Sequence, residues 1–231
     1  MNDFTYLSLF SGIGGLDLGL DRAGMRCVGQ VERDEFCRRV LTKHWPEVPR
    51  HDDINTAVDW WRAATRPVVR LVAGGPPCQP VSIAGRKLAQ DDERWLWEPM
   101  RDLIDHTHPE WVLVENVPGL RTRGLAIIIR DLRDRGYRVR AGVVRACEMG
   151  APHPRARVFT LAHTDSARCG PRRRLGPPGP TAVRAGGWPT EPRVGRVAHG
   201  VPAGVDRRRA LGNAVVPAVG EHIGRLILGS A

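Results

Sequence analysis

Thr5-Tyr-Leu-Ser-Leu-Phe10-Ser-Gly-Ile-Gly-Gly15-Leu-Asp-Leu-Gly-Leu20 is the stretch that decides the fold. Tyr6–Phe10 is a short apolar run that reads as a buried strand, and the glycines at 12, 14 and 15 then open a helix. Glycine lets the backbone pass close to a ligand at such a turn, and the helix start offers free N–H groups. The spacing is not GxGxxG, which disfavours a dinucleotide pyrophosphate. Outward from this unit the same alternation continues, as a doubly wound sheet requires. Cys27–Val31, Val68–Ala73 and Trp111–Glu115 read as further strands, with Asp34–His44, Glu93–Thr107 and Arg123–Arg135 as the helices between them. Arg138–Val144 and Arg157–Ala162 are expected to close one edge as a hairpin-like pair. Gly212–Leu228 reads as a Gly-Asn turn followed by an amphipathic helix. The expected class is therefore α/β, with a mostly parallel sheet and an antiparallel edge strand.

Acidic residues stand where the strands end. Glu32 follows the second strand, where a carboxylate can accept hydrogen bonds from ribose hydroxyls, and Asp53 follows a candidate third strand, within reach of an adenine amino group. With the glycine turn they point to an adenosine-containing ligand at the carboxyl ends of the strands. The next strand runs into Gly74-Gly-Pro-Pro-Cys78-Gln-Pro-Val-Ser82-Ile-Ala-Gly85-Arg86-Lys87. Most lone cysteines are small buried hydrophobes. This one follows two prolines that fix the backbone, and the nearby Arg and Lys favour a thiolate. Glu115, at the end of the following strand, would face the same crevice.

The formal charge of +10 is unevenly divided: residues 1–120 carry 14 Lys/Arg against 18 Asp/Glu, and residues 121–231 carry 21 Arg against 7 acids. A basic half suggests a polyanion partner, although a high-GC genome that encodes Arg wherever a surface charge will do would give the same balance. Five cysteines without a CxxC pair argue against a disulfide framework or a structural zinc site, and for a reducing, cytoplasmic setting. No apolar run approaches the roughly 18–20 residues of a membrane span. His163–Gly204 holds 7 Pro, 8 Gly and 7 Arg with two acids, too little apolar surface to offset its ordering entropy. The chain thus divides into a core at 1–162, a Pro/Gly/Arg-rich loop at 163–204 and a closing helix at 205–231.

Five segments carry a resemblance. Phe10-Ser-Gly-Ile-Gly-Gly15, PPCQPVSIAGR (76–86), VENVPGL (114–120), Pro152-His-Pro-Arg155-Ala-Arg157-Val-Phe159 and Gly212-Asn-Ala-Val-Val-Pro217 look like the ordered motifs of the cytosine-5 DNA methyltransferases. The resemblance implies a Rossmann-like S-adenosylmethionine-dependent methyltransferase fold, double-stranded DNA as partner, no metal and a monomer. It implies Cys78 as nucleophile at carbon 6 of a flipped-out cytosine, Glu115 as the group at N3, Arg157 at the base O2, and Arg155 in support. For the cofactor it implies Phe10, the turn glycines Gly12, Gly14 and Gly15, Glu32, Asp53, Ile54, Pro77, Leu96, Asn213 and Ala214. Gln79, Ser82, Arg86 and Lys87 would lie against DNA in a closing loop. Three features depart from the pattern: His153 stands where a Gln is usual, Arg33 where a Trp is usual, and the recognition region shrinks to the 163–204 loop. Arg172, Arg173, Arg174, Arg193 and Arg196 in that loop are expected to contact phosphates, so DNA binding should weaken strongly with salt. An RNA cytosine-5 methyltransferase, or a protein that binds without turnover, would carry the same motifs.

Overall fold

In the computed structural model, residues 3–77, 95–119, 124–164 and 202–229 are described. Among the described residues, seven strands form one sheet: β1 (Thr5–Leu9), β2 (Arg26–Val31), β3 (Arg50–His51), β4 (Leu71–Gly74), β5 (Trp111–Asn116), β6 (Arg138–Arg145) and β7 (Ala156–His163). Their order is β3-β2-β1-β4-β5-β7-β6. The five strands from β3 to β5 are parallel, whereas β7 runs antiparallel to both β5 and β6, so the hairpin closes that edge as the sequence suggests. The helices are α1 (Gly15–Ala23), α2 (Glu35–His44), α3 (Ala57–Arg62), α4 (Trp97–Thr107), α5 (Leu125–Asp134), α6 (Pro202–Asn213) and α7 (Pro217–Leu228).

Strand alternation sorts the core into two layers. Leu7, Leu9, Val72, Val112 and Val114 face one side, where Trp97, Met100, Leu103 and Ile104 of α4 and Ile128 and Leu132 of α5 cover them. Tyr6, Leu71, Ala73, Leu113 and Phe159 face the other, under Leu16 and Leu20 of α1 and Val219, Ile223 and Ile227 of α7. Burial on both faces is why β1, β4 and β5 read as continuous apolar runs.

Three boundaries differ from the sequence expectation. The fourth strand begins at Leu71, since Val68 is 79% exposed and follows a proline. Helix α4 begins at Trp97, with Trp95 and Leu96 outside it. The last segment is not one helix behind a Gly-Asn turn: Gly212 and Asn213 end α6, and Pro217 starts α7. Proline suits a first helical position because its missing N–H needs no partner, and it forces the preceding Val216 into the extended conformation seen there (φ −71°, ψ 121°).

Helices α1 and α7 approach backbone to backbone. A Cβ on Gly19 would lie 2.5 Å from the Pro217 carbonyl oxygen and 2.7 Å from the Glu221 nitrogen, neither of which can move without shifting α7. Gly→Ala in an exposed helix interior normally gains up to about 1 kcal/mol. Here the overlap should outweigh that gain: Gly19→Ala is expected to cost about 1–3 kcal/mol and to lower the melting temperature by several degrees, as calorimetry would show.

Candidate active site

The carboxyl ends of β1, β2, β4 and β5 open into one cleft of about 980 Å³, the upper end of the ~300–1,000 Å³ usual for small-molecule sites. It lies at the end of the sheet where ligands bind in doubly wound folds.

The first wall is the turn after β1. Phe10 adopts φ 54°, in the left-handed region, which for a bulky residue stores on the order of 1–3 kcal/mol. Its half-buried ring packs against the cluster holding Leu9, Val31 and Ile54. Gly12 donates its N–H to Glu32 Oε2 at 2.7 Å, and Asp34 donates its N–H to Glu32 Oε1 at the same distance. Two backbone donors thus fix this carboxylate at the cleft and leave further lone pairs as acceptors. Phe10, Gly12, Gly15, Glu32, Asp53, Ile54, Pro77, Leu96, Asn213 and Ala214 all line the cleft. Asp53 also caps the short turn Ile54–Thr56, accepting from the Asn55 backbone N–H at 2.9 Å. Gly14 is placed otherwise: it is the N-cap of α1 with φ 81°, and a Cβ there would strike the Trp45 ring at 2.5 Å.

Glu115, the penultimate residue of β5 and 9% exposed, also lines the cleft. It pairs with Phe159 across the antiparallel ladder, which brings Arg157, two residues along β7 on the same face, diagonally beside it. Arg157 Nε lies 2.9 Å from Glu115 Oε1, an ion pair without in-line hydrogen-bond geometry. Burial pushes the Glu115 carboxyl up to about 7, against the pull of Arg157 and then Arg155. Gly75 leaves the room: a Cβ there would sit 2.8 Å from Glu115 Oε2. The neighbouring Asn116 donates from Nδ2 to the Pro76 carbonyl at 2.7 Å, pinning the backbone that leads into Cys78.

Cys78, Gln79, Ser82, Arg86, Lys87, Arg172, Arg173, Arg174, Arg193 and Arg196 lie outside the described residues. Arg155 is described and stands off the cleft wall: its Nη2 donates to the carbonyls of Gly212 and Ala214, both at 2.6 Å. Two features had no sequence signal. Arg209 of α6 forms an ion pair with Asp34, the N-cap of α2, at the cleft rim, and nothing in either residue's neighbourhood announces a partner 175 positions away. Asn116 stood in a quoted motif, yet its hold on Pro76 needs β4 and β5 to be adjacent.

The fold and the cleft define a Rossmann-like α/β methyltransferase architecture. The model of the C-5 cytosine-specific DNA methylases matches residues 4–178, and the chain belongs to that family. It is 36% identical over 166 residues to the Type II methyltransferase M.HgiCII of Herpetosiphon aurantiacus, covering 70% of this chain and 37% of that protein. It is 32% identical over 176 residues to the Type II methyltransferase M.AquIA of a Picosynechococcus species, covering 68% and 71%. Among solved structures, a putative DNA modification methyltransferase encoded within a prophage of E. coli matches with a TM-score of 0.63 and 27% identity, over 74% of this chain and 49% of that one. The chain thus spans well under half the length of M.HgiCII and about half that of the prophage protein.

Proposed function

We propose that the chain transfers a methyl group from S-adenosylmethionine to carbon 5 of a flipped-out cytosine in duplex DNA, with Cys78 forming a transient bond to the base. The observation that carries this reading is the continuity of the cleft: a buried carboxyl near neutral pKa and its arginine share one cavity with the carboxylate and apolar walls of an adenosine-type site.

The cavity suits the cofactor. Phe10, Ile54 and Leu96 offer apolar surface for an adenine ring, the fixed Glu32 carboxylate offers acceptors for ribose hydroxyls, and Asn213 and Ala214 lie at the wall contributed by the α6–α7 link. When bound, S-adenosylmethionine supplies an activated methyl group. The chain's own residues make carbon 5 able to receive it. The Cys78 thiolate adds to carbon 6, the electron pair moves toward N3, and a protonated Glu115 holds or delivers the proton there. Arg157 keeps Glu115 in place and meets the developing charge on the base O2. Carbon 5 takes the methyl group, leaving S-adenosylhomocysteine, N3 returns its proton to Glu115, and loss of the C5 proton expels Cys78 and restores the ring. No side chain in the sequence is assigned to that last proton.

The test is incubation of the purified protein with unmethylated duplex DNA and labelled S-adenosylmethionine, followed by sequencing for 5-methylcytosine. Methylated cytosine at a defined short site is expected. Preferential methylation of RNA would overturn the DNA reading, and cofactor binding without transfer to either would overturn catalysis.

A further inference from the structure

We propose that Arg155 is a positioning residue that ties the base end of the cleft to its cofactor end by holding the α6–α7 link in place. The inference rests on the methyltransferase reading above. Arg155 sits two residues before Arg157, in a loop anchored by the Ala146 N–H, which donates to the Pro154 carbonyl at 2.9 Å and the Arg155 carbonyl at 3.3 Å. From that anchor the guanidinium crosses to the other end of the chain. Nη2 donates to the carbonyls of Gly212 and Ala214 at 2.6 Å, with the Leu211 carbonyl at 3.4 Å.

Leu211 and Gly212 lie in the last turn of α6 and Ala214 just beyond it, where carbonyls have no intrahelical N–H and a cation is favoured by the helix dipole. Between Asn213 and Pro217 only three residues link α6 to α7, and Asn213 and Ala214 line the cleft. The link also packs closely on the start of α1, where a Cβ on Gly15 would fall 2.3 Å from the Val215 carbonyl oxygen. Arg155 therefore holds the end of α6 and the first link residue, Ala214, while α1 packs against the next, Val215. Through β7 the same arginine is joined to Arg157, and through it to Glu115. A guanidinium aimed at helix carbonyls, off the cleft wall, positions the link without touching substrate.

Hydrogen exchange and calorimetry on the full chain test this. The variants are Arg155→Met, which keeps the aliphatic stem and loses the donors, and Arg155→Lys, which keeps a donor cation. In Arg155→Met, amides of residues 209–216 are expected to exchange about tenfold faster while those of β1, β4 and β5 stay unchanged. S-adenosylhomocysteine should bind about tenfold more weakly, with the KM for S-adenosylmethionine rising more than kcat falls. Arg155→Lys should recover part of each effect, and it supplies the measurement if Arg155→Met does not fold. Unchanged exchange at 209–216 would overturn the proposal whether or not the cofactor binds. Faster exchange with undiminished S-adenosylhomocysteine affinity would overturn it as well, because the strut would then serve the fold alone. A wild type that binds no S-adenosylhomocysteine would overturn the methyltransferase reading, and the exchange result would still decide whether Arg155 holds the link.

Discussion

Cys78→Ala is expected to lower methyl transfer to duplex DNA by at least about 10³-fold while leaving S-adenosylhomocysteine affinity within a few-fold of wild type. Carbon 5 of cytosine is a weak nucleophile until something adds at carbon 6, so loss of the sulfur removes the bond on which that activation depends. The cofactor site should survive the change. The cleft walls proposed to hold the cofactor come from the β1 turn, Glu32, Ile54, Leu96 and the α6–α7 link. The backbone entering position 78 should survive as well, because Asn116 holds the Pro76 carbonyl and Gly75 fits against Glu115. Single-turnover transfer of labelled methyl, with calorimetry of S-adenosylhomocysteine, measures both halves. Transfer within tenfold of wild type would remove Cys78 from the mechanism. A parallel loss of cofactor affinity would make its role structural.

How much of this was legible in the sequence depended on the range of the interaction. Tyr6–Leu9, Val112–Val114 and the glycine turn declared themselves because a strand buried on both faces needs consecutive apolar residues, and a turn that meets a ligand needs glycine. The placement of Glu32 was legible for the same reason, since parallel strands put their carboxyl ends together. Helix α6 was not. Arg207-Arg-Arg209 and Gly212 give it little amphipathic contrast, and its C-terminus is fixed by Arg155, more than fifty residues away. Helix α3, with six residues, is too short to show a period. The Arg209–Asp34 pair and the seat of Gly19 against Pro217 depend on contacts that only the folded chain creates. Arg155 was legible as part of a motif, while the direction of its side chain was not.

Glu115→Gln is expected to reduce kcat by about 10²–10⁴-fold, the range of a lost general acid, and at the same time to stabilise the fold at alkaline pH. The two effects share a cause. Burial raises the Glu115 carboxyl from 4.5 to about 7, so near neutrality the folded chain binds a proton that the unfolded chain has already released. The sign follows: between roughly pH 4.5 and 7 the native state holds more protons, stability falls as pH rises through that window, and above it the whole cost of a buried carboxylate is present. That cost is on the order of 3 kcal/mol, and glutamine, which never ionises, escapes it. Melting temperatures should therefore diverge in favour of Glu115→Gln at pH 8 and converge near pH 5. Catalysis needs the opposite condition. A proton must be available for N3, so kcat/KM of the wild type should fall on the alkaline side through about pH 7. Arg157 restrains how far the carboxyl rises, and it stays beside the site in the glutamine variant. If Glu115→Gln were inactive yet gained no more stability over the wild type at pH 8 than at pH 5, the carboxyl would be ionised in the native chain at neutral pH, and Glu115 could not be the proton source at N3.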